Sequence, residues 1–214
     1  MTIATARIIA SALLVYPDQR FLDRREEFET IVKKLDGAFR EPLAEFFATT
    51  AQMSLDEIQR HYVEIFDMRR RCSLFLTSWT HGDTRNRGMA LVYFKEIYKD
   101  AGILLTDEEL PDHLAVVLEF AALVNPVEGD LLLGEHRAPI ELLKDALHST
   151  KSFYASVLDA VVATLPPMTA EIAERARTLA LSGPPVEFVG ISGAVSIALE
   201  PFSSNHLLAA DGAR

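Results

Sequence analysis

Six ionisable side chains fall into three short pairs: His61 with Glu64, His81 with Asp83, and Asp112 with His113. Imidazole and carboxylate are the groups a helical bundle uses to hold a metal ion, usually from a carboxylate and a histidine three residues apart on one helix. His61 and Glu64 have that separation, but in reversed order and only once. Each pair also has a structural reading. His81 precedes Gly82 at a helix junction, where an imidazole can bond backbone carbonyls. Asp112-His113 opens a helix, where the dipole favours an acid. The structural reading is the stronger, and a small helical His/Asp metallohydrolase stands as the enzymatic alternative.

Arg85 and Arg87, with Arg69, Arg70 and Arg71 upstream, leave two readings open. They could contact an anion, or they could pair internally with Asp107, Glu108 and Glu109, or with Asp67 and Asp83. A buried guanidinium needs a carboxylate, because lone buried charge is very costly. Cys72 follows two of these arginines, which would lower its pKa, but it also opens an apolar run and reads as a buried structural thiol. Gly-rich phosphate loops, a G-x-S-x-G elbow and a cysteine cluster are all missing from the sequence. No catalytic residue and no cofactor is assigned.

Between Leu105 and Val124 there is no Lys or Arg, while Asp107, Glu108, Glu109, Asp112 and Glu119 all fall there. On a helix that also carries Leu114, Val117, Leu118 and Ala121, these acids make a rim beside an apolar face. The rim reads either as a solvated surface or as one wall of a groove for an apolar, basic peptide.

These residues need a scaffold, and helical periodicity supplies one. The pattern predicts helices over about Thr5–Tyr16, Gln19–Leu35, from near Glu41-Pro42, and from Ser54, where Ser54-x-x-Glu57 is a capping box. Leu55, Ile58, Tyr62 and Ile65 or Phe66 line one face of the last of these. Cys72–Trp79 could pass for a strand by composition but is expected to be helical, since no other strand is on offer. Further helices are expected over Thr84–Asp100, capped by Asp83 and burying Met89, Leu91, Val92, Tyr93 and Ile97. Another should run from Pro111 to Val124, stopped by Asn125-Pro126. Ala138–Ser149, Lys151–Leu165 and Thr169–Ser182 complete the set. The expected architecture is an all-α single-domain bundle over residues 1–182, with a loosely structured, flexible tail over 183–214.

Composition sets outer limits. The 214-residue chain is 49% hydrophobic, enough for one sizeable core, and its net charge of −10 argues against nonspecific binding to nucleic acid. The single cysteine excludes an intrachain disulfide and fits a reducing compartment. Ile8–Val15 follows Arg7 in signal-peptide order, but it is far shorter than the about 20 residues that span a bilayer and no small-x-small cleavage site follows. It reads as a first core helix, and the protein as cytoplasmic, without stable membrane insertion.

Four blocks carry a family resemblance: Tyr62-x-x-x-Phe66-Asp67, Ser73-Leu74, His81-Gly82-Asp83-x-Arg85-x-Arg87-Gly88 and Leu110-Pro111-Asp112-His113-Leu114. With the opening Leu13-Leu14-x-Tyr16-Pro17-Asp18, they closely resemble the respiratory nitrate reductase assembly chaperones. That group, the delta-subunit or NarJ family, belongs to the TorD-like redox-enzyme maturation chaperones. The resemblance covers roughly residues 8–125. It implies an all-helical chaperone, not an enzyme, that stays out of the finished complex. Such a protein binds the N-terminal peptide of the nitrate reductase catalytic (alpha) subunit while molybdenum cofactor is inserted and the membrane anchor docks. Proteins of molybdenum cofactor biosynthesis are implied as further partners. The resemblance also assigns a peptide site to Tyr62, Phe66, Asp67, His81, Asp83, Arg85, Arg87, Asp112 and His113, and the acidic rim adds Glu119. In it Tyr62 and Phe66 form an apolar wall, Asp112 and Glu119 attract positive charge, and Arg85 and Arg87 brace the site. His81 and His113 would make peptide affinity pH-dependent between about pH 6 and 7. The alternatives are an assembly chaperone for a different molybdoenzyme and a scaffold subunit that remains bound.

Overall fold

Helix α1 (Ile3–Leu14) is apolar on nearly every side, and it is correspondingly central. In this computed structural model, which describes residues 2–82, 84–104 and 109–183, it packs on α7 (Leu114–Leu123) and on α10 (Tyr154–Ala163). Ala6, Ile9, Ala10, Leu13 and Leu14 fill that contact. Arg7 lies buried among them, bonded to the Thr164 carbonyl and paired with Asp130 at 2.6 Å. A charge this deep needs such partners.

The remaining helices wrap this centre. They are α2 (Gln19–Val32), α3 (Arg40–Thr49), α4 (Leu55–Tyr62), α5 (Ser78–His81), α6 (Arg85–Asp100), α8 (Pro126–Glu135), α9 (Arg137–Ser149) and α11 (Ala170–Ser182). α10 packs on α3 and α9, and α11 covers α9 from outside. The capping box at Ser54 forms as expected, with Glu57 accepting from the Ser54 N–H at 2.8 Å. The chain is an all-helical bundle, as its periodicity predicts. The expected tail lies outside the described residues except for Gly183, which ends α11 at φ +68°.

Four local expectations are corrected. Residues 72–79 are not one helix. A 3-10 turn (Arg70–Cys72) is followed by an extended stretch in which Phe75 makes an antiparallel bridge to His113, and helix resumes only at Ser78. The missing strand partner is the backbone just before α7. That pairing also delays α7, which starts at Leu114 instead of Pro111.

The Asn125-Pro126 pair ends α7 but also starts α8, which the periodicity missed. The Asn125 side chain accepts from the Glu128 N–H at 3.2 Å, and Pro126 takes the first helical position, where no N–H is needed. In α6 the buried face is Phe94 and Tyr98, whereas Met89, Val92 and Tyr93 are exposed and Leu91 and Ile97 half-buried. Two apolar stripes compete on this helix, and the aromatic one wins because Phe120 and His136 receive it. Finally, the apolar face of α7 is consumed by the core. Leu114, Val117, Leu118 and Ala121 are all buried, so that face is no peptide groove.

Candidate functional site

Tyr62 closes α4, and the chain continues as a π-turn over Val63–Asp67, with the Met68 N–H bonded to the Val63 carbonyl at 3.1 Å. The additional residue in this turn lets Ile65 and Phe66 both point inward and leaves Asp67 and Met68 outside. π-turns of this kind often mark functional sites.

The Tyr62 ring is buried against Tyr16, Phe66 and Tyr154, and its hydroxyl donates to the Leu14 carbonyl at 3.1 Å. Burial pushes its pKa up, so the phenol stays neutral. Tyr62 therefore braces the site from the core, and Phe66 alone of the expected pair reaches a cleft.

That cleft measures about 490 Å³. Phe66, Met68, Phe75 and Leu110 supply its apolar walls, and Asp67, Arg70 and Arg87 its charges, with Ser73, Ser78 and Gly82 between them. All four motif blocks contribute to it. Gly82, at φ +55°, takes a backbone conformation that a side chain would strain, and so turns α5 toward α6.

Through Phe75 the cleft wall is joined to the bridge. Leu76 N–H bonds the Asp112 carbonyl at 3.0 Å, and Leu114 N–H bonds the Leu74 carbonyl at 2.9 Å. Behind it Asp112 is fully buried. Its Oδ2 accepts from the Thr77 N–H at 3.1 Å and from Thr77 Oγ1 at 2.5 Å, while Oδ1 has no partner among the described residues. Arg87 Nε donates to the same Thr77 hydroxyl at 3.3 Å, and its guanidinium lies 5.4 Å from the centre of the Phe75 ring. Tyr98 fixes the loop by donating to the Pro111 carbonyl at 2.8 Å.

His113 is buried and caps α7, its Nδ1 accepting from the Ala115 N–H at 3.2 Å. Burial pushes its pKa down, against the opposing pull of Glu109 and Asp112. His81 is half-buried, with Nδ1 2.8 Å from Thr80 Oγ1.

The cleft thus gathers Phe66, Asp67 and Arg87 at its surface, with Tyr62, Asp112 and His113 supporting them from within. Asp112 cannot meet a ligand's positive charge from this position. Arg85 is exposed at the start of α6. Glu119 does not join the cleft; it is exposed midway along α7, where it lines two other clefts of about 680 and 310 Å³. Asp83, and with it the expected cap of α6, lies outside the described residues.

Thr77 and Phe75 were not singled out from the sequence. A lone threonine inside Leu74-Phe75-Leu76-Thr77 is a usable signal, because a buried hydroxyl must find partners.

Other chemistry finds little support in the geometry. Arg69 pairs with Glu64 at 2.7 Å, and His61 stacks on Phe153 with Nε2 2.9 Å from Ser152 Oγ. Among the described residues, no three His, Cys, Asp or Glu side chains are grouped so as to hold a metal ion. Burial pushes the Cys72 thiol up, outweighing Arg69. What the cleft can do is bind: it offers apolar walls, an exposed acid and two guanidinium groups.

The bundle has a counterpart among solved structures. A crystal structure assigned to a redox enzyme maturation protein from Archaeoglobus fulgidus matches with a TM-score of 0.58 at 21% identity, over 76% of this chain and 93% of that one. The family follows from the sequence match: residues 32–158 fit the nitrate reductase delta subunit family, and the chain belongs to it. All residues lining the cleft lie in that span.

Among relatives, the nitrate reductase-like protein NarX of Mycobacterium tuberculosis is 39% identical over 72% of this chain. The chain spans only 23% of that relative's length. The Bacillus subtilis protein assigned as nitrate reductase molybdenum cofactor assembly chaperone NarJ is 31% identical, covering 72% of this chain and 85% of its own. The Escherichia coli protein of that name is 34% identical, covering 71% and 66%.

Proposed function

We propose that this protein is a cytoplasmic assembly chaperone for a respiratory nitrate reductase, with no reaction of its own. It binds the N-terminal peptide of the catalytic (alpha) subunit and keeps that subunit open while molybdenum cofactor is inserted and the membrane anchor docks. Proteins of cofactor biosynthesis meet it at that stage. The observation that carries this reading is the convergence of four separate sequence blocks on one surface cleft, between the π-turn and the Phe75–His113 bridge. No helix among the described residues is long and apolar enough to cross a membrane, in keeping with a chaperone that meets its client before docking.

The cleft suits a short segment with an apolar anchor and a positive charge. Phe66, Met68, Phe75 and Leu110 take the anchor, and exposed Asp67 takes the charge. A charge-assisted hydrogen bond there contributes about 1.5–3 kcal/mol.

Calorimetry with a synthetic peptide from the N-terminus of the cognate catalytic subunit tests this. Wild type should bind with micromolar affinity or better, and Asp67→Asn should weaken binding by about tenfold, or about 1.4 kcal/mol. Glu119→Gln should leave binding unchanged. No binding by wild type rejects the reading; loss through Glu119 with no effect of Asp67 moves the peptide to the Glu119 side of α7.

A further inference from the structure

Thr77 is fully buried, yet it belongs to none of the motif blocks. Its hydroxyl has one proton to give and two lone pairs. An arginine N–H can only donate, so the hydroxyl accepts from Arg87 and gives its own proton to Asp112 Oδ2 at 2.5 Å. A lone pair is left to receive Arg87 Nε–H at 3.3 Å. One hydroxyl thereby connects the Leu-Pro-Asp-His-Leu block to the second arginine of the His-Gly-Asp block. The guanidinium it holds lies over Phe75, on the wall of the cleft.

We infer that Thr77 is a positioning residue for the cleft, its buried hydroxyl relaying Asp112 to Arg87 and holding the guanidinium over Phe75; this rests on the peptide-binding reading above. That hydroxyl also satisfies the buried Asp112, so its loss costs stability as well as position. The two bridge hydrogen bonds and the Tyr98 bond to Pro111 secure the same loop without it, and the Thr77 N–H bonds Asp112 whatever the side chain. Beyond its bond to Asp112, the hydroxyl has one task that none of those other bonds shares, the orientation of Arg87. Valine has the right shape but cannot perform it. Serine can.

The test combines two readouts on full-length protein. Peptide calorimetry compares wild type, Thr77→Val, Thr77→Ser and Arg87→Gln. Thr77→Val should bind about tenfold more weakly, and Thr77→Ser within about twofold of wild type. Thr77→Val added to Arg87→Gln should cost nothing further, since Thr77 acts through that arginine. An undiminished affinity in Thr77→Val, no rescue by serine, or full additivity with Arg87→Gln overturns the inference.

The second readout needs no ligand. By NMR, the Arg87 Nε–H should exchange slowly with water in wild type and Thr77→Ser, and quickly in Thr77→Val. A wild-type Arg87 Nε–H that exchanges as fast as free arginine overturns the inference even if Thr77→Val does not fold. Slow exchange in a wild type that binds no peptide would keep the relay and reject only the peptide-binding reading.

Discussion

Phe75 and His113 meet twice, backbone to backbone in an antiparallel bridge and ring edge to ring face with centroids 5.3 Å apart. The imidazole is therefore enclosed, and its Nδ1 serves as the acceptor that caps α7. Both roles require the neutral ring. Burial holds its pKa below the ordinary 6.5, although Glu109 and Asp112 pull the other way.

A pH dependence of stability follows. His136 is shifted down for the same leading reason, and so is half-buried His61. The unfolded chain takes up protons that the native sites refuse, so it binds more protons on acidification. The stability contributed by these rings is fully present above the ordinary value of 6.5 and is lost as pH falls from there through their lower native values. Melting temperature should fall between about pH 7 and about pH 5. An NMR titration should place the His113 midpoint below 6.5, and a midpoint above it would contradict the assignment. The expected pH effect on peptide affinity would then sit lower than an ordinary histidine's range.

Gly129 on α8 sits where a Cβ would come within 2.3 Å of the Ala121 Cα on α7. Both contacting atoms belong to or adjoin backbone, so neither can swing aside. Gly129→Ala should force α7 and α8 apart and destabilise the fold by about 2 kcal/mol or more. Denaturant unfolding measures this; an unchanged midpoint would mean the helices are less closely packed.

Glu141 binds Arg137 at 2.8 Å and Lys144 at 2.6 Å, and the Arg137–Glu141 pair is almost wholly enclosed. Arg137 also donates to the Pro166 carbonyl, tying α9 to the chain after α10. Glu141→Ala strands a buried guanidinium and should cost about 3 kcal/mol. The loss should persist at high salt, since enclosed pairs are poorly screened. A variant as stable as wild type would show that Arg137 finds another acceptor.

The sequence revealed the class of the fold because helical periodicity is a local property, written along α1, α4 and α9 alike. Where two solutions were locally equal, tertiary partners decided. Met89, Val92 and Tyr93 make as good a stripe as Leu91, Phe94 and Tyr98, and only the presence of Phe120 and His136 selects the second. Leu74–Leu76 could not be recognised as extended, because its partner lies at Asp112–Leu114, far along the chain. Asn125-Pro126 reads equally as an end and as a beginning, and it is both.

The motif blocks meet at one cleft in the structure, but side-chain depth was hidden. Asp112 looked like a surface acid on a helix start and proved to be the buried acceptor of Thr77. Glu119, grouped with it by sequence, faces elsewhere.

The π-turn at Val63–Asp67 behaves as a one-residue insertion in an otherwise ordinary helix. Removing one residue from it would let regular winding run through, with Met68 still bonded to the Val63 carbonyl, now as an ordinary α-helical pair. The loss falls inside the turn, where the inward pair Ile65 and Phe66 and the exposed Asp67 could no longer all keep their places. A length change of one residue here thus rearranges the cleft wall at Phe66 and Asp67, whereas the same change in an exposed connection would pass unnoticed. Among related chains, spacing across this turn should be held more tightly than the identity of the residues that fill it.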